Sequence, residues 1–148
     1  MFEAVLFDLD GTLADTAPDL CGTVNILLTE EGRPQQPFAS LRPHTSQGVR
    51  GLLGQGFGID SAHHEYERLA ARFLEIYAGQ LCDLSRLFDG IPDLLDVLES
   101  HGIAWGIVTN KRARYTEPLV AALGLVPRTR CVVSGDTTAE AKPSPLPI

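Results

Sequence analysis

The chain has 148 residues, enough for one domain with a hydrophobic core, and its 44% hydrophobic and 21% charged residues argue against a disordered protein. Its formal net charge of −7 argues against nucleic acids and anionic membranes as partners, because both are bound by clustered Lys and Arg. No apolar run approaches the ~20 residues that cross a bilayer, and the N-terminus lacks a charged leader. We therefore expect a cytoplasmic protein.

Cysteine usage agrees with that location. Cys21, Cys82 and Cys131 are odd in number, far apart in the sequence and set among apolar residues. This pattern is not typical of a disulfide framework or of a zinc site. We expect buried thiols in a reducing compartment.

The first predicted element is a strand near the N-terminus. Ala4–Phe7 is a short apolar run that ends abruptly at polar residues. Such a run is typical of a strand that is buried on both faces of a parallel sheet.

A long segment then separates this strand from the next helix of the sheet. The gap from Thr12 to Pro92 far exceeds the ~2–6 residues that usually join a strand to a helix. The segment has two apolar helical faces of its own, formed by Leu20, Val24, Leu27 and Leu28 and by Leu69, Phe73, Ile76 and Tyr77. Between them, a loop or short helix is indicated by Gly51, Gly54, Gly56 and Gly58. We predict a helical cap at residues 16–85, inserted into a core of residues 1–15 and 86–148.

The remaining elements alternate between helix and strand. A helix is predicted from Pro92 to Gly102, followed by an apolar strand at 103–108. The buried stripe of this helix is expected to contain Leu94, Leu95 and Leu98.

A second helix and a third strand complete the predicted pattern. The helix is expected to be capped by Thr116 and to end at Gly124, and the strand covers 131–134. Strands that alternate with helices predict an α/β fold with a Rossmann-like parallel sheet. Because such sheets have about five or six strands, we expect a core that is incomplete after its third strand.

Polar side chains follow the carboxyl ends of these strands. Asp8 and Asp10 follow the first strand, and Thr109 and Asn110 follow the second. Lys142 comes after the third. Ligands of open α/β sheets bind beyond the carboxyl ends of the strands, and residues two apart on an extended chain point the same way. We therefore expect these five groups to converge on one crevice.

The chemistry of this set suits phosphoryl transfer, which depends on positioning and on charge neutralisation. Asp8 is the expected nucleophile and would form an aspartyl phosphate. Asp10 would protonate the leaving oxygen and then deprotonate water. We predict a Mg²⁺ site at Asp8 and Asp10, in which a carboxylate and a backbone carbonyl hold the metal while it bridges to phosphate oxygens.

Three further residues are candidates for substrate binding. Gly11 permits a turn without a Cβ, which is expected to expose backbone N–H groups to an anion, and Thr12 adds a hydroxyl. In the cap, Arg50 is a candidate for contact with a substrate carboxylate or phosphate, although an arginine of this kind is more often simply exposed.

The segment from Asp8 to Thr16 resembles the first motif of the haloacid dehalogenase superfamily phosphatases. Residues 108–110 resemble the second motif of that family, residues 142–143 resemble the third, and the helical insert resembles its mobile cap. Within the superfamily, residues 87–92 and 105–111 are most similar to bacterial phosphoglycolate phosphatases and N-acetylmuramic acid 6-phosphate phosphatases.

The resemblance implies a Mg²⁺-dependent phosphomonoester hydrolase whose partner is a small phosphorylated metabolite. In that reaction Asp8 is the nucleophile, Asp10 the acid and base, and Lys142 the stabiliser of the charged intermediate. Thr109 and Asn110 are implied to be phosphate-site residues. The fourth motif of the family, an acidic pair that completes the metal shell, is expected after Lys142 and is not in the sequence. Its strand would lie beside the first strand, so we expect that edge to be bare.

Other functions stay open at this point. A sugar-phosphate mutase would share the fold, and a non-catalytic fragment or binding module would share the motifs without the activity. A calcium loop fits poorly, because no acidic residue closes a twelve-residue loop, and a glycosidase carboxylate pair would leave the threonines and the lysine unexplained.

Overall fold

The structure, a computed structural model, describes residues 3–148. It divides into two units: one joins the described residues up to Asp15 to Arg86–Ile148, and the other is Thr16–Ser85. The elements in chain order are β1 (Ala4–Phe7), β2 (Ala14–Asp15), α1 (Ala17–Glu30), α2 (Phe38–Leu41), a 3₁₀ helix (Arg42–Gln47), α3 (Gly48–Phe57), α4 (Tyr66–Ala78), β3 (Arg86–Leu87), α5 (Ile91–Ser100), β4 (Ala104–Val108), α6 (Ala113–Ala122) and β5 (Val132–Val133).

A parallel sheet with the strand order β1-β4-β5 organises the first unit. Phe7 of β1 lies opposite Ile107 of β4, and Ile107 also pairs with Val132 of β5. The central strand β4 is buried along residues 105–108. A separate antiparallel pair joins β2 to β3. The sheet confirms the predicted α/β fold with parallel strands.

The strand β1 differs from its prediction as a strand buried on both faces. Ala4 and Leu6 are exposed, whereas Val5 and Phe7 are partly buried. Within the described residues β1 is an edge strand, and because side chains alternate along a strand, only one of its faces is covered. On the covered face, the ring of Phe7 packs edge-on against Trp105, with ring centroids 6.2 Å apart.

The indole of Trp105 has a hydrogen-bond partner that the sequence did not identify. Its Nε1 donates to Glu99 Oε1 at 2.9 Å. The Arg128 guanidinium, whose Nε also lies 2.9 Å from that oxygen, holds the pKa of Glu99 below its ordinary value, and the indole hydrogen bond adds to the effect. The N–H of the buried indole is thus satisfied by Glu99, which forms an ion pair with Arg128 at the protein surface.

The predicted leucine stripe of α5 is wrong at one position. Leu95 is fully buried and Leu98 is partly buried, but Leu94 is 42% exposed. A helix that packs only one of its sides against a sheet buries a narrow face, and Leu94 lies outside that face.

The helix α6 begins before its predicted cap. Arg112 is the N-cap residue, and the Ala113 N–H donates to Asp136 Oδ1 at 2.8 Å. Thr116 lies inside the helix, where its hydroxyl donates to the carbonyl oxygens of Lys111 and Arg112. The prediction failed because a side chain from the loop after β5 binds the first turn of the helix.

The second unit is helical, and its core contains the predicted apolar faces. All four predicted residues of α1 are buried, as are Leu69, Phe73 and Tyr77 of α4, whereas Ile76 is partly buried. The glycine-rich segment forms the ten-residue helix α3. Among the described residues, none of the helices is both long and apolar enough to span a bilayer.

The cysteine prediction is wrong in part. None of the three cysteines forms a disulfide within the described residues, but only Cys21 is buried. Cys82 is partly buried and Cys131 is exposed. Cys131 directly precedes β5, which is the other edge strand of the parallel sheet, and its apolar sequence context therefore did not imply burial.

Candidate active site

The sheet brings the polar residues after β1 and β4 to one edge. Phe7 and Ile107 are register partners, so Asp8 and Thr109 both follow closely on paired positions of neighbouring parallel strands. Thr109 is 3% exposed, and its N–H donates to Val133 O at 2.9 Å, which extends the pairing of β4 with β5. The carboxyl ends of three strands therefore meet where the sequence placed the site.

Lys142 and Asp8 form the central contact of this edge. Lys142 Nζ donates to Asp8 Oδ1 at 2.9 Å and to the carbonyl oxygen of Val108 at 2.7 Å. The Asp8 side chain is 42% exposed and the Lys142 side chain is 29% exposed, so the pair faces solvent without being fully hydrated. The ammonium group is thus placed between the end of β4 and the carboxylate after β1.

Asn110 holds the backbone of Lys142 by two hydrogen bonds. Its Nδ2 donates to Lys142 O at 3.0 Å, and the Lys142 N–H donates to its Oδ1 at 2.9 Å. One donor and one acceptor of the amide are therefore used inside the protein. The amide retains a second N–H, and its assignment to phosphate binding stays a prediction.

A second lysine contacts the second carboxylate. Lys111 Nζ lies 3.2 Å from Asp10 Oδ1, and the Lys111 side chain is only 9% exposed. No role was predicted for Lys111 from the sequence. A signal was present, because Lys111 and Lys142 are the only two lysines in the chain and both follow strands of the sheet.

The loops that carry these residues are closely packed. The Lys111 N–H donates to Thr109 Oγ1 at 3.2 Å, and the Gly135 N–H donates to Lys111 O at 2.8 Å. A Cβ on Gly135 would overlap with the backbone carbonyl of Asn110. The loops after β4 and β5 can approach this closely only because residue 135 has no side chain.

The turn after β1 differs in part from its prediction. Gly11 has φ +77°, a conformation that favours glycine, and a Cβ there would meet nothing within 4 Å. Its N–H, however, donates to Ala14 O at 2.8 Å, and the next N–H groups, from Thr12 to Ala14, all donate to Leu9 O. The expectation that these N–H groups are exposed to an anion is therefore wrong. Thr12 itself lies exposed in the turn.

Arg50 belongs to the other unit of the structure. It is exposed on α3, in the helical unit. Its role in substrate binding stays a prediction.

The two carboxylates fit part of a magnesium site. Mg²⁺ is commonly bound by one or two carboxylates together with waters and phosphate oxygens, and the exposed oxygens of Asp8 and Asp10 are donors of that class. Between residues 3 and 148, no cluster of three or more His, Cys, Asp or Glu side chains is arranged to hold a metal. The described residues therefore supply two carboxylate groups and no third.

Together these residues can bind and polarise a phosphoryl group. A carboxylate is available for attack, a second carboxylate for proton transfer, and two ammonium groups for charge neutralisation.

Comparison with known proteins gives the same assignment. The family model described as haloacid dehalogenase-like hydrolase matches residues 5–148. A phosphoglycolate phosphatase from Xanthomonas campestris is 45% identical over 98% of this chain, and an N-acetylmuramic acid 6-phosphate phosphatase from Pseudomonas aeruginosa is 40% identical over 99% of it. In both cases the chain spans 65% of the length of the relative.

A solved structure supports the fold. The crystal structure of a predicted phosphoglycolate phosphatase from Haemophilus somnus superposes with a TM-score of 0.80 at 26% sequence identity, covering 97% of this chain and 67% of that one. The match over residues 5–148 includes every residue of the site in the sheet unit. The chain therefore belongs to the haloacid dehalogenase-like hydrolase family.

Proposed function

We propose that this chain carries the nucleophile, the acid and base, and the stabilising cation of a Mg²⁺-dependent phosphomonoester hydrolase. The observation that carries the proposal is the contact between Lys142 and Asp8, because it joins the predicted nucleophile to the predicted cation across 134 residues of sequence. The two acceptors of Lys142 Nζ, Asp8 Oδ1 and the carbonyl oxygen of Val108, distinguish it from a lysine that is merely solvated at the surface.

The reaction proceeds in two steps. Asp8 attacks the phosphorus atom, the bond from phosphorus to the ester oxygen breaks, and Asp10 donates a proton to that oxygen. Asp10 then takes a proton from water, which attacks the aspartyl phosphate and releases inorganic phosphate. Lys142 remains beside Asp8 and offsets the negative charge that develops there.

Other residues of the site bind and orient the substrate in this proposal. Thr109 contributes a hydroxyl and Asn110 its remaining N–H. The turn at Gly11 and Thr12 contributes the exposed side chain of Thr12. The carboxylate of Asp8, together with an oxygen atom of Asp10, would hold Mg²⁺. When bound, the metal neutralises phosphate charge and orients the oxygen atoms for in-line attack.

The preferred substrate is 2-phosphoglycolate, on the basis of the relative that is 45% identical. N-acetylmuramic acid 6-phosphate is the second candidate, on the basis of the relative that is 40% identical. Both esters are anionic metabolites. Three cysteines outside any disulfide in the described residues agree with a reducing, cytoplasmic location. A sugar-phosphate mutase is distinguished by its product, since it would return the phosphoryl group to a sugar and need a bisphosphate primer.

The test is a release assay for inorganic phosphate over phosphoglycolate, sugar phosphates and nucleotides with Mg²⁺. We expect Asp8→Asn to lower turnover by about a thousandfold or more, because it removes the nucleophile. Asp89→Asn makes the same charge change at an exposed position of the same unit and is expected to keep wild-type turnover. Turnover by Asp8→Asn equal to that of the control would refute the proposal.

A further inference from the structure

Each of the two lysines of the chain contacts one of the two carboxylates of the site. Lys142 pairs with Asp8, and Lys111 pairs with Asp10. The proposed reaction gives Lys142 a role and leaves Lys111 without one. We propose that Lys111 is the specificity-determining residue that binds a carboxylate on the leaving group of the substrate, a proposal that rests on the proposed function.

The backbone of Lys111 is fixed from two sides. Its N–H donates to Thr109 Oγ1, and its carbonyl oxygen accepts from the Gly135 N–H at 2.8 Å and from the Thr116 hydroxyl at 3.1 Å. The side chain is 9% exposed and its ammonium group contacts Asp10, so little conformational freedom is left to that group. A group held in this way is suited to recognition, because little entropy is lost when a ligand binds it.

The position of the ammonium group defines which part of the substrate it meets. Asp10 donates its proton to the ester oxygen, so the leaving group must lie against Asp10. Lys111 Nζ is 3.2 Å from Asp10 Oδ1 and therefore borders the leaving group, whereas Lys142 borders the phosphoryl group beside Asp8. An ammonium group has three N–H donors and can bind a substrate carboxylate while it remains bonded to Asp10.

Charge explains why a cation is needed at this place. Once Asp10 has given its proton to the ester oxygen, its negative charge and that of a carboxylate on the leaving group would repel each other. Lys111 offsets this repulsion and adds a charge-assisted hydrogen bond. A neutral leaving group needs neither effect.

The same geometry separates the two candidate substrates. In 2-phosphoglycolate a single methylene group joins the ester oxygen to the carboxylate, so the carboxylate arrives within reach of Lys111. In N-acetylmuramic acid 6-phosphate the carboxylate stands on the far side of the sugar ring from the ester. The placement of Lys111 therefore favours an ester of a short 2-hydroxy acid.

The test compares 2-phosphoglycolate with 2-hydroxyethyl phosphate, which has a hydroxymethyl group in place of the carboxylate. We expect Lys111→Gln to lower the ratio of kcat/KM for the two esters by about 10- to 100-fold, the effect of losing one hydrogen bond between charged groups. Lys111→Arg should restore most of the ratio. Arg114→Gln removes a positive charge from an exposed position nearby and should leave the ratio at its wild-type value.

A purely structural role for Lys111 would lower kcat/KM for both esters alike and leave their ratio unchanged, which would overturn the proposal. Calorimetric titration of the same two esters into Asp8→Asn, with and without Lys111→Gln, measures the preference without turnover. A preference for 2-phosphoglycolate that depends on Lys111 supports the proposal even where no hydrolysis is seen, and that result would count against the proposed function alone. Equal affinities for both esters, or binding of neither, would overturn the inference.

Discussion

Asn110 holds the backbone of Lys142 by its side-chain amide group. Both hydrogen bonds go to the backbone of Lys142, so they hold the loop after β5 against the end of β4. The Lys142 side chain therefore extends to Asp8 from a backbone that is held in place. These two hydrogen bonds are important for the site, because a displacement of about 1 Å in an active-site group can lower the rate a hundredfold.

We therefore expect Asn110→Ala to lower kcat by about 10- to 100-fold with a smaller effect on stability. Asn25 provides a matched control, because its amide makes the same pair of hydrogen bonds to the backbone of Gln36, at 2.9 Å each, in the helical unit. Asn25→Ala should lower the melting temperature to a similar degree and leave kcat unchanged. Steady-state kinetics and thermal melting of the two variants check this, and equal kcat values for both would contradict it.

At this scale the sequence predicted which groups meet but not how each is used. The residue types at the ends of the strands predicted carboxylates, a hydroxyl, an amide and an ammonium in one place. The use of the Asn110 amide on Lys142, 32 residues away, could not be predicted, because it depends on how two loops pack. The contact of Lys111 with Asp10 was missed, although the position of this lysine after a strand of the sheet was a signal for it.

Among the elements of the helical unit, α1 is tied to the chain before β3 by one buried carboxylate. Asp19 is 3% exposed and accepts hydrogen bonds from the N–H of Leu84 at 3.0 Å and of Ser85 at 2.7 Å. The Ser85 hydroxyl donates to the same carboxylate. The two ends of the unit, Thr16 and Ser85, are thereby held close to one another.

Asp19→Ala is expected to lower the free energy of unfolding by about 3 kcal/mol, because it leaves the N–H and the hydroxyl of buried Ser85 without an acceptor. Asp83→Ala removes a carboxylate from an exposed position in the same segment and should change stability by less than about 0.5 kcal/mol. Urea denaturation measures both. A loss for Asp19→Ala no larger than that for Asp83→Ala would show that the carboxylate does not tie these elements together.

The buried faces of helices were predictable where the apolar pattern was strong. The buried faces of α1 and α4 follow the helical period closely, so they were predicted residue by residue. α3 was predicted only as a loop or short helix, because its glycines lower helix propensity and the packing of the unit overrides that preference. The start of α6 was misplaced because Asp136, which accepts a hydrogen bond from the first turn of the helix, comes from another loop.

For the molecule as a whole, the order of strands and helices was enough to predict a parallel sheet. The exposure of β1 was not predictable, because a continuous apolar run reports which side chains can be buried and not which neighbours cover them. The acidic net charge of −7 likewise gives no indication of the site, where two ammonium groups lie beside two carboxylates. A local arrangement of charge, rather than the overall charge, suits the binding of a phosphate ester.

The central claim is that Asp8 is the group that attacks phosphorus, and chemical trapping tests it most directly. The protein is mixed with a ³²P-labelled phosphate ester and Mg²⁺, quenched in acid within the first turnovers, digested and mapped by mass spectrometry. The account predicts label on the peptide that contains Asp8, stable in acid, released by hydroxylamine as expected for an acyl phosphate, and absent from Asp8→Asn. Hydrolysis of the ester with no label on Asp8, or with label on another residue, would contradict it.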